Sequence, residues 1–363
     1  MNESIFYTAC APFESARRLA PAPPGAGARH PAGLHGHSFL ATARVGAAPS
    51  GTPAWSPFPG AEIDALRERL RAAVAPLDYQ LLNEHVPDPG DENLARWILP
   101  RLDAADAIRL GVQSTCNQGV DIDARGGAQG WRRYAFESAH RLPHVPAGHK
   151  CGRMHGHGFS VSLHVPAGDA PLLDAAWAPL HQRLHHACLN DIAGLDNPTS
   201  ECIASWIWSQ LRPGLPGLSR VTVHETATCG AHFDGSGYRI WKDVGLDSAV
   251  QLRHAPAGDG RARIHGHSYR LRLHLAAPLD QVLGWTIDFG DVKEIFNPVF
   301  ARLDHQPLHE LPGVAEGGAL AIARWAREQA GAALPQLERL DLCETPGCGV
   351  ILAWGPQRAT LAA

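Results

Sequence analysis

His155-Gly156-His157-Gly158-Phe159-Ser160-Val161-Ser162-Leu163-His164-Val165 opens with a string, His-Gly-His-small-aromatic, that this chain contains three times. The others are His35-Gly36-His37-Ser38-Phe39 and His265-Gly266-His267-Ser268-Tyr269, so the copies stand about 110 to 120 residues apart. Further landmarks repeat around each copy. Upstream lie Phe13 to Leu19, Phe136 to Leu142 and Leu246 to Leu252. Downstream come Leu77-Asp78-Tyr79, Leu184-His185-His186 and Leu303-Asp304-His305, then an Ala-x-Trp ending at Trp97, Trp206 or Trp325. A last apolar run closes each unit at Ser114-Thr115, Glu225-Thr226 or Glu344-Thr345. Five landmarks in one order, three times over, mark three tandem copies of one unit.

The Gly-rich stretches Arg125 to Gly130 and Asp234 to Gly237 read as linkers, which gives units over 1–125, 131–234 and 238–363. Gly46 to Gly60 reads as a loop inserted in the first. The alternation in Phe159 to Val165 and Tyr269 to Leu275 predicts half-buried strands. Ile63 to Val74 and Leu94 to Leu102 have helical spacing, and Thr199 or Ser200 before Glu201 supplies a helix N-cap. Each unit therefore reads strand, strand, helix, helix, strand, strand: an α+β arrangement with helices covering one face of antiparallel strands.

Composition narrows the function. The chain has 363 residues, 45% of them hydrophobic and 19% charged, as a globular protein does. A net charge of −4 predicts no nucleic-acid partner. No apolar run predicts a membrane span, no leader is evident, and a cytoplasmic location is expected. Eight cysteines without a CxxC pair predict free thiols rather than a disulfide scaffold. Histidine is the outlier at 21 residues, which points to metal or proton chemistry.

On a strand, residues two apart face the same way, so His155 and His157 project together. His140 lies on the preceding strand, and a hairpin brings its imidazole to theirs. Three neutral histidines with an open fourth position describe a catalytic zinc site. An isolated HxH is more often a surface pair; the third histidine upstream is what distinguishes this copy. The first copy has Arg17 and the third Val250 at that position, so one Zn2+ per chain is expected. Cys151, flanked by Lys150 and Arg153, is expected to ionise beside these cations and the metal. Pro31 and Arg261 take its place in the other copies.

His140-Arg141-Leu142-Pro143-His144, His149 to His157, Leu189 to Glu201 and His224-Glu225-Thr226 together resemble bacterial 6-carboxytetrahydropterin synthase, of the 6-pyruvoyltetrahydropterin synthase superfamily. Gly284 to Phe289 and Leu303-Asp304-His305 resemble the same enzyme, and the first copy does so more weakly. The resemblance implies the tunnelling fold, ββααββ units that share strands around a three-fold axis to form an antiparallel barrel with helices outside. Three fused units would then close a pseudo-three-fold ring from one chain, either alone or as a homodimer of stacked rings.

The resemblance also implies roles. Zinc on His140, His155 and His157 chelates the side chain of 7,8-dihydroneopterin triphosphate; Cys151 is the base, Glu225 anchors the pterin ring, and a neighbouring unit supplies an Asp-His dyad. The second copy has His185-His186 at the dyad position while the third keeps Asp304-His305. The expectation is a composite site of the second unit's pocket and the third unit's dyad, with His186 as the rival. The implied products are 6-carboxy-5,6,7,8-tetrahydropterin, acetaldehyde and triphosphate, in 7-deazapurine (queuosine) precursor synthesis. The alternatives are triphosphate elimination of the 6-pyruvoyltetrahydropterin synthase type, and pterin binding without catalysis.

Overall fold

The computed structural model describes residues 3–20, 33–48, 51–104, 106–314 and 318–355. In the first unit β1 (Ser4–Leu19) and β2 (Gly33–Ala47) form a long hairpin; α1 (Glu62–Val74) and α2 (Asp91–Ile98) follow, then β3 (Ala107–Thr115) and β4 (Gln118–Asp123). The second repeats this with β5 (Ala128–His140), β6 (His155–Pro166), α3 (Leu173–Leu184), α4 (Ser200–Leu211), β7 (Arg220–Thr226) and β8 (Cys229–Phe233). The third has β9 (Tyr238–Val250), β10 (His265–Ala276), α5 (Phe289–Leu303), α6 (Ala319–Ala330), β11 (Leu337–Thr345) and β12 (Cys348–Ala353). Two boundaries shift from the sequence reading. The first strand pair runs on through Gly46 and Ala47, and β5 begins at Ala128, so the first linker is only the tight turn before it.

Within each unit the strands pair in chain order, and the last strand of one unit pairs with the first of the next. β4 joins β5, β8 joins β9, and β12 returns to β1, all antiparallel. Among the described residues these twelve strands close into one barrel of the α+β class, which leaves no free edge along its wall. The first two joins follow from short turns. The third has no covalent link behind it and rests on the ladder from Ser4↔Ala353 to Thr8↔Gly349.

Strand residues alternate between the lumen and the helical layer. On the helical side, Phe136 stacks on Phe159 at 5.0 Å, directly beneath the histidine pair, and Phe13 on Phe39 repeats this in the first unit at 4.9 Å. Such aromatic pairs add about 0.5–1.5 kcal/mol beyond their buried area, and they anchor the hairpin end that carries the histidines. No helix among the described residues is long and apolar enough to cross a membrane.

Candidate metal centre and pocket

The β5–β6 register sets His140 directly opposite His155 and Ser138 opposite His157. Gly156 between the two histidines must lack a side chain, because a Cβ there would stand 3.0 Å from the Ser138 carbonyl oxygen across the hairpin. His140 is 1% exposed, and its Nδ1–H donates to the Pro198 carbonyl at 3.1 Å. His155 Nδ1–H donates to the Arg153 carbonyl at 2.8 Å. Both rings are thereby held with Nε2 unprotonated and facing inward. His140 Nε2 lies 3.1 Å from His157 Nε2, and one ligand atom from each of the three rings falls within 4.8 Å of the others.

This donor set fits a zinc ion. Nitrogens bound to a tetrahedral zinc stand roughly 3.3 Å apart, since each bond is about 2.0–2.1 Å long. Burial pushes the His140 pKa down to about 4, with His155 and His157 adding repulsion, so the ring stays neutral. Lone pairs that converge from three imidazoles repel one another unless a cation stands among them, and His140 among these rings is buried.

Glu225, at the end of β7, accepts a hydrogen bond from Ser200 Oγ, and its Oε1 lies 3.9 Å from His157 Nε2. Cys151 sits in a short turn capped by His149, whose Nδ1 accepts from the Cys151 N–H at 3.2 Å. The charges around this thiol differ from the sequence expectation. Burial raises its pKa, and Glu225 and Asp288 raise it further against the downward pull of Lys150. The two carboxylates come from distant parts of the chain, where a reading of the local loop finds only cations. Within the protein alone the thiol is not lowered; a metal charge has to do that.

The seam partner of this pocket is the third unit, through its segment Leu283–Asp288. Asn197 Nδ2 donates to the Leu283 carbonyl at 2.7 Å, Thr199 Oγ1 to the Gly284 carbonyl at 2.5 Å, and Glu201 accepts from the Thr286 N–H at 2.8 Å. His149 lies 3.7 Å from Asp288. Beyond the N-cap expected of Thr199 or Ser200, the sequence assigns no role to Glu201, Thr286 or Asp288, and their contacts appear only at the seam.

Asp304-His305 is elsewhere. Asp288 caps the start of α5 and Asp304 its end, and a 15-residue helix is about 22 Å long. The dyad packs against its own unit: Asp304 accepts from the Asp247 N–H at 3.0 Å and from His305 Nδ1–H at 2.9 Å. His305 lines an open cleft with Ile264, His265 and His267. Within one chain the expected composite of the second unit's pocket and the third unit's dyad is therefore not assembled, because helix length carries the dyad to the opposite end of α5. Donating to Asp304 raises the His305 pKa, while the Asp247 N–H and then His305 lower that of Asp304.

The rival His186 holds the same place in the second unit. Tyr79, His186 and His305 all adopt left-handed backbone, with φ of 54°, 58° and 55°. Their N–H groups donate to the backbone carbonyls of Glu14, Glu137 and Asp247 respectively. His185 replaces the aspartate as acceptor of the strand N–H, at 3.1 Å. His186 does meet a carboxylate, Glu137 at 3.4 Å, but through Nε2 rather than Nδ1.

The eroded units differ in kind. Arg17 fills the metal position of the first, donating to the Pro89 carbonyl at 3.0 Å and pairing with Asp91 at 2.6 Å. Val250 leaves the third without a ligand, and Arg261 fills the cleft there, bound to Asp259 and to Asp64 of the first unit. Pro31 lies outside the described residues.

The family described as 6-pyruvoyl tetrahydropterin synthase matches residues 129–236 and 239–353. A 6-carboxy-5,6,7,8-tetrahydropterin synthase from Synechocystis sp. is 39% identical over 118 residues, covering 28% of this chain and 90% of its own length. Among solved structures, the 6-pyruvoyl tetrahydropterin synthase of Caenorhabditis elegans aligns with 32% of this chain and 94% of its own, at 16% identity and a TM-score of 0.30. A uricase from Bacillus fastidious aligns with 74% and 93%, at 8% identity and a TM-score of 0.29.

Proposed function

Because this chain belongs to the 6-pyruvoyl tetrahydropterin synthase family, we propose that it is a zinc-dependent lyase of the 6-carboxytetrahydropterin synthase type. It converts 7,8-dihydroneopterin triphosphate and one water to 6-carboxy-5,6,7,8-tetrahydropterin, acetaldehyde and triphosphate, a step towards 7-deazapurines such as queuosine. The observation that carries the reading is the meeting of the three imidazoles, Cys151 and Glu225 in one pocket.

His140, His155 and His157 would hold the zinc, which would supply Lewis acidity at the substrate side chain and favour the ionised form of the nearby thiol. Cys151 takes a proton from the carbon next to the ring. Glu225, held by Ser200, accepts paired N–H donors from the flat pterin edge. The wall Leu283–Asp288 encloses the substrate from the neighbouring unit.

Proton relay by Asp304-His305 then requires a second chain. His305 is 76% exposed, on a rim where Leu34, Met154, Ile264 and Tyr79 are also exposed. Apolar exposure repeated in three units suits the stacking of a second ring about a two-fold axis. Of the three two-fold axes such a ring allows, one sets the second unit against the partner's third, which completes two sites per dimer. Mixing Cys151→Ala with His305→Ala chains tests this. Random exchange leaves about a quarter of the sites intact, so about a quarter of the parent activity returns. No recovery places the dyad in cis, and full activity of the His305→Ala chain alone removes it from the reaction. Release of acetaldehyde separates the proposed reaction from simple triphosphate elimination, and turnover of any kind separates it from pterin binding.

A further inference from the structure

The barrel lumen holds a second set of repeated residues unconnected with the zinc pocket. Arg109, Arg220 and Arg339 occupy the same place in the three units, five residues before Ser114, Glu225 and Glu344. Each faces a basic or imidazole partner across the ladder: Arg109 opposite Arg44, Arg220 opposite His164, Arg339 opposite His274. The metal position is histidine in one unit only, whereas this arginine is present in all three. Closure of the ring alone does not require it, since an apolar lumen closes equally well.

The arginines sense one another across the lumen. Burial lowers the Arg220 pKa to about 9, and repulsion from Arg109 and Arg339 adds to the shift. Arg44 is lowered to about 9 for the same reasons, by burial and then by Arg339 and Arg109. Acids offset part of this charge: Asp121 pairs with Arg109 at 2.8 Å and Asp341 with Arg339 at 2.5 Å. His164, His232 and His274 are pushed down by burial and stay neutral.

A cavity of about 260 Å³ lies within this ring, bordered by Arg44, Arg109, Arg133, Arg270 and Arg272 but only by Asp121 and Asp341 among acids. Asp243 holds Arg272 at 2.6 Å. Asp341 is shared with Arg339, so the guanidiniums of Arg44, Arg109, Arg133, Arg270, Arg272 and Arg339 outnumber the carboxylates of Asp121, Asp243 and Asp341 around the lumen. Among the described residues Arg133 and Arg270 meet no carboxylate, and Arg133 donates to Ser162 Oγ at 3.3 Å. Arg270 is exposed at the cavity, where its side chain meets Cys343. A neighbouring cavity of about 630 Å³ shares Arg109 and Asp121 and continues the lumen. An enclosed positive excess is unfavourable without a counter-charge, the more so in a chain whose net charge is −4. Guanidiniums arranged around a cavity match tetrahedral oxyanions through paired N–H donors.

We propose that the lumen binds one small, multiply charged oxyanion of the phosphate class, with Arg133 and Arg270 as its principal contacts within the arginine ring. Inorganic phosphate, pyrophosphate and triphosphate share this chemistry, and the last is also a product of the proposed reaction.

The test is calorimetric titration of the zinc-loaded full chain with each of the three salts, against chloride at matched ionic strength. The expected result is saturable binding of one anion per chain, strengthening with anion charge. Arg133→Gln/Arg270→Gln should weaken it about tenfold or more with zinc content unchanged, and Arg133→Lys/Arg270→Lys should recover most of the affinity. Lys150→Ala/Arg153→Ala, in the loop beside the zinc pocket, should leave this binding intact. Absence of saturable binding, equal binding by the double-Gln chain, or loss in the Lys150/Arg153 chain instead would each overturn the proposal. Zinc content and circular dichroism of every variant separate loss of the site from loss of the fold.

Discussion

Replacing Glu201 with glutamine should make the protein more stable above neutral pH and leave it unchanged in mild acid. Glu201 is 2% exposed at the seam that walls the zinc pocket. Burial pushes its pKa from 4.5 to about 7, against the hydrogen bonds from Thr286 and its own N–H that favour the anion, while Glu225 repels it further. The folded state therefore holds a proton that the unfolded state has released. Stability contributed by this group is fully present below about pH 4.5 and falls as pH rises, levelling off above about 7. At about 1.4 kcal/mol per pH interval, the 2.5 between 4.5 and 7 amounts to about 3 kcal/mol. Glutamine does not titrate, and its carbonyl oxygen still accepts from Thr286. Urea unfolding of parent and Glu201→Gln chains at pH 5 and pH 8 isolates the term, because every other titrating group is common to both. The expectation is near-equality at pH 5 and an advantage of up to about 3 kcal/mol for the variant at pH 8. A variant less stable than the parent at pH 8 would refute the assignment of a costly buried charge to this seam.

Other expectations are simpler to read. His140→Ala should purify folded with zinc falling from one per chain towards none, measured by plasma emission, since two strand histidines alone make a weak site. Val250→His should raise the zinc content from one to two per chain: Val250 lies opposite His265, whose Nδ1–H is already held by the Arg263 carbonyl at 2.9 Å. A content still at one would show that Arg261 or the loss of other support closes that cleft to metal. Asp91→Ala should destabilise the chain by about 3–5 kcal/mol in urea, because it strands the buried Arg17 guanidinium, and Arg17→Met/Asp91→Ala should recover much of the loss.

Period-two alternation and Gly-rich turns give the hairpins and repetition gives their number, whereas closure of the strands into a barrel was legible only through the family resemblance. The convergence of His140 on His155 was legible too, because a hairpin register is a local property. What crosses a seam was not. Glu225 and Asp288 approach Cys151 from other elements, and no local pattern announces their charge; Lys150 and Arg153 are adjacent and so dominated the reading of that thiol. The dyad failed for another reason. Resemblance supplies a neighbour without saying which one, whereas α5 fixes Asp304 one helix length from Asp288, which is the end that meets the second unit's pocket.

The first unit shows how a ligand site is lost without loss of the fold. In the second unit Ser200, at the start of α4, donates to the carboxylate of Glu225 on the strand. In the first the two groups have exchanged places: Ser114 on the strand donates to Asp91 at the start of α2, at 2.7 Å. The hydrogen bond between helix and strand survives, but the carboxylate has moved next to Arg17, where it neutralises a buried cation instead of facing a substrate. A guanidinium that donates to the Pro89 carbonyl, as His140 does to Pro198, occupies the space a metal would take. The third unit reaches the same end through an apolar Val250 and an internal Arg261–Asp259 pair. Both solutions fill the metal's place without an ion, although His37 Nε2 in the first unit and the Tyr269 hydroxyl in the third are left buried without a partner, so among the described residues only the second unit keeps a cluster able to hold a metal.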